Sequence, residues 1–347
     1  MSIPSTQKQW VIQSTGNGLD ELVYQDASVP KLGQNEVLVK LRGASINFRD
    51  LLIPKGEYVF PLNLPIVAGS DGAGEIVAVG PRVTKWKPGD RVVTLFNQGH
   101  QSGRIDEAAT RTGLGGCIDG TLRQYGAFDQ DGLARMPANL DFVEAATLCC
   151  AALTSWNALN GLRRLAKGET VLVQGTGASV YLHYRYFAKA AGATVIATTS
   201  SAEKAKILKK IGADHVINYR EDPNWGETAR KLSPGGAGVD HVIEIGGEGT
   251  MTQSLRSIKY EGIISVIGML GGMQPKDSIM EALAHVCVIR GVYVGSKAQL
   301  EEMIAAIEKH DIHPVVDDKV FTLDETKDAL EYLMNQKHFG KIGIKIE

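Results

Sequence analysis

Hydrophobic positions along this chain fall into two regimes. Between residues 8 and 153 they come in short runs that alternate with polar positions, at 36–41, 74–79 and 90–95, and turns such as Lys87-Pro88-Gly89-Asp90 separate them. Period-two alternation with Gly and Pro punctuation predicts strands of a compact β-barrel-like domain. No stretch of helical period competes before Phe142. From 171 to 296 the pattern changes to apolar runs at 171–173, 194–198, 215–218, 241–245, 262–267 and 290–294, separated by helix-length segments. Six such runs predict an α/β fold with a doubly wound parallel six-stranded sheet, right-handed crossovers and ligand at the carboxyl ends of the strands. Beyond it, 299–309 reads as helix, 315–321 as strand and 323–334 as helix.

The first of the six runs ends in Gly175-Thr176-Gly177-Ala178-Ser179-Val180 and opens into a breaker-free segment up to Gly192. Strand, tight turn and helix begin a dinucleotide-binding unit, where glycine lets the backbone approach a pyrophosphate that rests on the N–H groups of the helix's first turn. Val180 stands where the third glycine of the pattern belongs, or Tyr181 if the loop is one residue longer. Either is bulky, so the pyrophosphate is expected to sit further from the helix and to bind weakly. About 20 residues on, where such folds read the ribose, stand Thr199, Ser200 and Lys204. Small hydroxyls and a lysine with no carboxylate suit a 2′-phosphate, which favours NADPH over NADH; the plain alternative is that the hydroxyls cap a helix. Tyr219, Gly246, Gly268, Met269, Val294 and Gly295, at the ends of later runs, complete the expected cofactor contacts.

Composition narrows the function classes. The 347 residues suit two domains, with 44% hydrophobic content and a formal net charge of -2. Lys and Arg are dispersed, which argues against nucleic acid or an anionic membrane as partner and for a small-molecule substrate. Four cysteines without paired spacing argue against a disulfide scaffold. The N-terminus lacks a signal-peptide core and no run of 18 apolar residues occurs, so a cytoplasmic location is expected.

Six motifs in order carry a resemblance: Ser45-Ile46-Asn47-Phe48-Arg49-Asp50-Leu51, Gly69-Ser70-Asp71-Gly72-Ala73-Gly74-Glu75, the run 87–92, Asp119-Gly120-Thr121-Leu122, Leu153-Thr154-Ser155-Trp156-Asn157-Ala158-Leu159 and Phe339-Gly340-Lys341. Across nearly the whole length the chain resembles the zinc-free, quinone-oxidoreductase-like and zinc-type alcohol dehydrogenase-like branch of the medium-chain dehydrogenase/reductase family. The resemblance implies a GroES-like catalytic domain from 1–155 and 315–347, completed by both chain ends, and a Rossmann nucleotide-binding domain from 156–314, with NADPH in the cleft between them. Thr154 and Lys341 then join the cofactor residues. It also implies a homodimer, with the edge run 290–295 pairing with its two-fold mate.

In zinc-dependent relatives, by the same resemblance, three ligands stand where this chain has Asn47, Ser70 and Cys150. One soft ligand cannot hold zinc, the region 96–120 has only Cys117, and the eight histidines are scattered, so no metal is expected. Without metal, a carbonyl or enone accepting hydride needs hydrogen-bond donors. Asn47, beside the nicotinamide by resemblance, is the first candidate; Asp50 is a partner for its loop or a proton group, and Tyr58 and Lys55 are possible proton donors. Three of the ten tyrosines, Tyr181, Tyr184 and Tyr186, fall on the first nucleotide helix, where spacing puts Val180, Tyr184 and Ala188 against the sheet and Tyr181 and Arg185 on another face. The leading function is therefore a zinc-independent NADPH-dependent oxidoreductase that transfers hydride to a carbonyl, quinone or activated double bond. The alternative is the same fold with an obstructed cofactor loop, acting as a cofactor-free binding protein or catalyst of a rearrangement.

Overall fold

The computed structural model describes residues 3–175, 179–268, 270, 272 and 277–347, and the backbone alone of 179–183 and 185. The chain divides into one unit formed by Met1–Leu153 with Val294–Glu347 and a second formed by Thr154–Tyr293. The N-terminal part carries β1 (Thr6–Ile12), β2 (Leu22–Ser28), β3 (Glu36–Ile46), β4 (Ile66–Val67), β5 (Asp71–Val79), β6 (Arg91–Thr94), β7 (Tyr125–Asp129) and β8 (Leu133–Arg135). The second unit carries β9 (Thr170–Val173), β10 (Thr194–Thr199), β11 (His215–Asn218), β12 (Val239–Glu244), β13 (Ile258–Val266) and β14 (Val288–Gly291). The tail adds β15 (Phe321–Thr322) and β16 (Ile342–Lys345) to the first unit.

The first unit is the expected strand-rich domain, built on β3. One edge of this 11-residue strand is shared: β7 pairs from Glu36↔Asp129 to Lys40↔Tyr125, and β16 pairs from Gly43↔Lys345 to Ile46↔Ile342. The strand order β15-β16-β3-β5-β6-β8 puts β5 on the opposite side, while β2-β1-β4 form a smaller sheet. A strand paired on both edges and covered on both faces loses its alternation, and most of β3 is buried. Its Val37, Val39, Leu41 and Ile46 join Ile76, Val92, Leu330 and Ile344 in one core.

Two local expectations are corrected here. A helix, Arg49–Lys55, follows β3 where none was expected, because the Asp50 carboxylate accepts the Asn47 N–H at 2.8 Å and turns the chain. The run 315–321 is strand only at Phe321–Thr322, since Asp317 draws in the N–H groups of Lys319 and Phe339 at 2.9 and 2.7 Å and bends the segment before it. Residues 294–314, expected with the nucleotide-binding domain, make compact contacts with the first unit. Helix Lys297–Lys309, capped by Ser296 and Gln299, is tied there by Lys297 N–H to the His100 carbonyl and Ala138 N–H to Glu308, each at 2.9 Å.

The second unit has the strand order β11-β10-β9-β12-β13-β14, all parallel, as expected of a doubly wound sheet. The last strand ends earlier than the apolar run 290–294 suggests, because Val294 adopts a left-handed φ of 52° that no strand accommodates. Tyr184 and Ala188 of helix Ser179–Ala190 are fully buried, as their spacing predicts. Burial pushes the Tyr184 hydroxyl well above its ordinary pKa, and that hydroxyl donates to the Thr154 carbonyl at 3.5 Å.

His241 of β12 is a buried titratable group in this sheet. Its Nε2 lies 3.4 Å from Arg163 Nη2 and 3.7 Å from Glu169 Oε2, and its Nδ1 has no partner among the described residues. Burial first, then the Arg163 guanidinium, push its pKa down from 6.5 to about 4. The folded form binds this proton less readily than the unfolded chain, so the stability concerned is present above pH 6.5 and is lost as pH falls toward 4. Denaturation midpoints measured across that window should fall for the native protein and fall less for His241→Gln. An equally steep fall in the variant would remove His241 as the cause.

Candidate functional site

Three strand ends meet in the first unit. Ile46 closes β3 opposite Ile342 of β16, so Asn47, one residue on, and Lys341, one residue before, are neighbours. On the other side Ser45 pairs with Asp71, the first residue of β5, which brings in Ser70. The turn into β5 depends on Gly69, whose φ is +85° and whose Cβ, were it present, would sit 2.7 Å from a Leu122 side-chain carbon.

Lys341 is fully buried. Its ammonium donates to the Asn47 Oδ1 at 2.6 Å, the Ile46 carbonyl at 2.8 Å and the Asp71 carboxylate at 3.2 Å. Asp71, also fully buried, accepts from Ser45 Oγ at 2.6 Å and from Ser70 Oγ at 3.4 Å. Asn47 Nδ2 donates to Ser70 Oγ at 3.4 Å. The expectation that Lys341 binds cofactor is corrected accordingly: its three N–H groups all go to the chain itself, and none of its surface is exposed.

Asp50 is brought to the same place by the helix that follows Asn47. Burial, opposed by Arg49 at 3.7 Å, raises its pKa from 3.8 to about 6. Tyr58 stands one step further out: its hydroxyl accepts from Arg49 Nε at 3.1 Å, and the Arg49 guanidinium lies against the rings of Tyr58 and Phe96. Lys55 is exposed in the last turn of the same helix. Of the three expected catalytic residues, Asn47 and Asp50 are joined directly, and Tyr58 reaches them through Arg49.

The donor chemistry at Asn47, Ser70 and Cys150 does not suit zinc. The amide oxygen that would have to ligate the metal already accepts a buried ammonium, and the Ser70 hydroxyl is a poor zinc ligand. Cys150 is then the one soft donor of the three, and a single thiolate does not make a zinc site. Among the described residues no three His, Cys, Asp or Glu side chains are grouped to hold an ion.

The expected cofactor residues of the second unit gather at the carboxyl ends of its strands. Gly175 follows β9 with φ +71°, and a Cβ there would lie 2.2 Å from Ile245 Cδ1, so the turn demands glycine as a dinucleotide loop does. Gly246 and Gly268 follow β12 and β13. Thr199 closes β10, its carbonyl accepts the Tyr219 N–H at 2.9 Å, and Ser200 leads into the helix that carries Lys204. Ser201 caps this helix, and the Glu203 carboxylate, which the sequence reading did not weigh, accepts from Ser201 Oγ at 2.6 Å. Thr176, Gly177, Ala178 and Met269 lie outside the described residues, as do the side chains of Ser179, Val180, Tyr181 and Arg185, on which the expected obstruction rests. Val294 and Gly295 belong to the first unit.

Sequence reasoning passed over Glu244. This fully buried carboxylate ends β12 and accepts from the N–H groups of Gly246 and Gly247 at 2.8 and 2.9 Å, from Gln174 Nε2 at 2.8 Å, and from the hydroxyls of Thr250 and Ser254. Five donors satisfy it without a cation and pin the glycine loop after β12. A carboxylate closing an otherwise apolar run was the available signal.

Comparison with known proteins agrees with this architecture. Residues 33–138 match the alcohol dehydrogenase GroES-like domain and residues 183–309 the zinc-binding dehydrogenase model. A zinc-type alcohol dehydrogenase-like protein of Schizosaccharomyces pombe is 43% identical over 346 residues, covering 98% of this chain and 99% of its own. An NAD-dependent alcohol dehydrogenase superposes with a TM-score of 0.87 at 31% identity, covering 98% of this chain and 100% of its own. A mycobacterial protein complexed with NADPH does so with a TM-score of 0.82 at 27% identity, over 98% of this chain and 99% of its own. The chain therefore belongs to the zinc-type alcohol dehydrogenase-like branch of the medium-chain dehydrogenase/reductase family.

Proposed function

We propose that this chain is a zinc-free, NADPH-dependent oxidoreductase that transfers hydride to a carbonyl, quinone or activated double bond of a small molecule. The observation that carries the reading is Asn47. Its amide oxygen is taken by Lys341 and one N–H by Ser70, and the second N–H has no partner among the described residues. That N–H is suited to receive the negative charge that develops on a substrate oxygen. NADPH would supply the hydride. Gly175 would admit its pyrophosphate, and Thr199, Ser200 and Lys204 would read the 2′-phosphate, with Glu203 turned toward the helix cap. Asp50 anchors the Asn47 backbone. Among the described residues no helix is long and apolar enough to cross a membrane, which agrees with a small-molecule enzyme.

The test is reduced-nucleotide oxidation with 1,4-benzoquinone, 3-penten-2-one and benzaldehyde. Native protein should turn over at least one of them, and Asn47→Ala should lose about 10²–10³ in kcat. Lys204→Ala should raise the KM for NADPH about tenfold or more while leaving that for NADH nearly unchanged. No turnover of any of the three, together with no change in melting temperature on adding NADPH, would sink the reading.

Zinc independence is open to elemental analysis. Purified protein should contain far less than one zinc per chain and keep its activity after chelation, and loss of metal and activity together would overturn this part.

The chain is also proposed to form a homodimer. β14 ends the sheet of the second unit, and Ile279, Leu283 and Val286 before it are 81%, 68% and 51% exposed. An edge strand flanked by apolar side chains needs covering. Light scattering at micromolar concentration should give twice the chain mass, and a monomeric mass would refute it.

A further inference from the structure

The contacts around Asn47 close into a ring. Lys341 donates to Asn47 Oδ1 and to Asp71, Ser70 Oγ donates to Asp71, and Asn47 Nδ2 donates to Ser70 Oγ. An ammonium can only donate and a carboxylate only accept, so these two groups set the direction of every proton in the ring. An asparagine side chain is nearly symmetric in shape and can present either its oxygen or its NH₂ group. Here the cation holds the oxygen and leaves the NH₂ end to donate.

We propose that Lys341, held by Asp71, is a positioning residue whose ammonium fixes and polarises the Asn47 amide so that its uncommitted N–H meets the substrate oxygen. The inference rests on the reading of Asn47 given above and adds to it the part that aims the donor. Two features argue that the pair does more than hold strands together. Backbone pairing already joins β16 to β3 and β3 to β5 over several residues on each side. The shortest bond of the ammonium is the one to the amide oxygen, at 2.6 Å, against 3.2 Å to the carboxylate. A hydrogen bond accepted from a cation withdraws charge through the amide and makes its N–H a stronger donor.

Lys341→Met alone leaves the Asp71 charge unpaired, and the protein is expected to lose much of its stability. The informative variant is therefore Lys341→Met with Asp71→Asn, which removes both charges together. Its melting temperature should return close to the native value, while kcat in the benzoquinone, pentenone or benzaldehyde assay stays down about 10²-fold and KM changes little. Placed in an Asn47→Ala background, the same two substitutions should lower kcat no further. Recovery of kcat along with stability, or a further loss in the Asn47→Ala background, would overturn the inference. If Asn47→Ala itself leaves kcat intact, the reading of Asn47 fails first and the positioning role with it.

The ring also has a readout without turnover. In protein labelled with ¹⁵N-asparagine, the Asn47 side-chain resonance, identified by its disappearance in Asn47→Ala, should shift in the charge-neutral variant. An unmoved resonance would count against the ring regardless of activity.

Discussion

A fully buried ammonium sits where three strands end, and it is tolerated there because their pairing brings every acceptor it needs within reach. Taking an ion out of water costs several kcal/mol, and the cost is offset only when every donor finds an acceptor and an opposite charge lies close by. Lys341 meets both conditions with one carbonyl, one amide oxygen and Asp71. Each acceptor comes from a different stretch of chain or from a fixed point on one, so register errors of a single residue would strand the charge. Backbone pairing sets the tail strand β16, the central strand β3 and the start of β5 in one relative position, and that position brings all three acceptors to the ammonium.

The second unit solves the opposite problem with different means. Glu244 is a buried anion at the end of a strand, and five neutral or backbone donors surround it rather than a cation. The result is a loop whose Gly246 and Gly247 N–H groups point inward at the carboxylate. Both sites exploit the same rule, that a buried charge is tolerable when fully hydrogen-bonded, and each places its charge at a strand terminus where loop residues supply partners.

The same ammonium explains why the positions of the zinc ligands cannot be read by residue type alone. By residue type alone Asn47 and Ser70 count as weak oxygen ligands, but the amide oxygen faces Lys341 and the hydroxyl faces the amide.

The sequence alone determined the two regimes of hydrophobic spacing, and from them the strand-rich first unit, the six-stranded parallel sheet and the glycine turn at Gly175; these depend on local periodicity and backbone sterics. It also pointed to Asn47 and Asp50, through a motif rather than through geometry. Only the tertiary structure decided what surrounds them. Lys341 is 294 positions from Asn47 along the chain, and nothing local says that pairing of β16 with β3 will set them side by side. For the same reason Lys341 was expected at the cofactor, and Glu244 went unnoticed within an apolar run. Hydrophobic pattern specifies which elements form, whereas the destination of a buried charge depends on which distant partners the folded topology brings within about 3 Å of it.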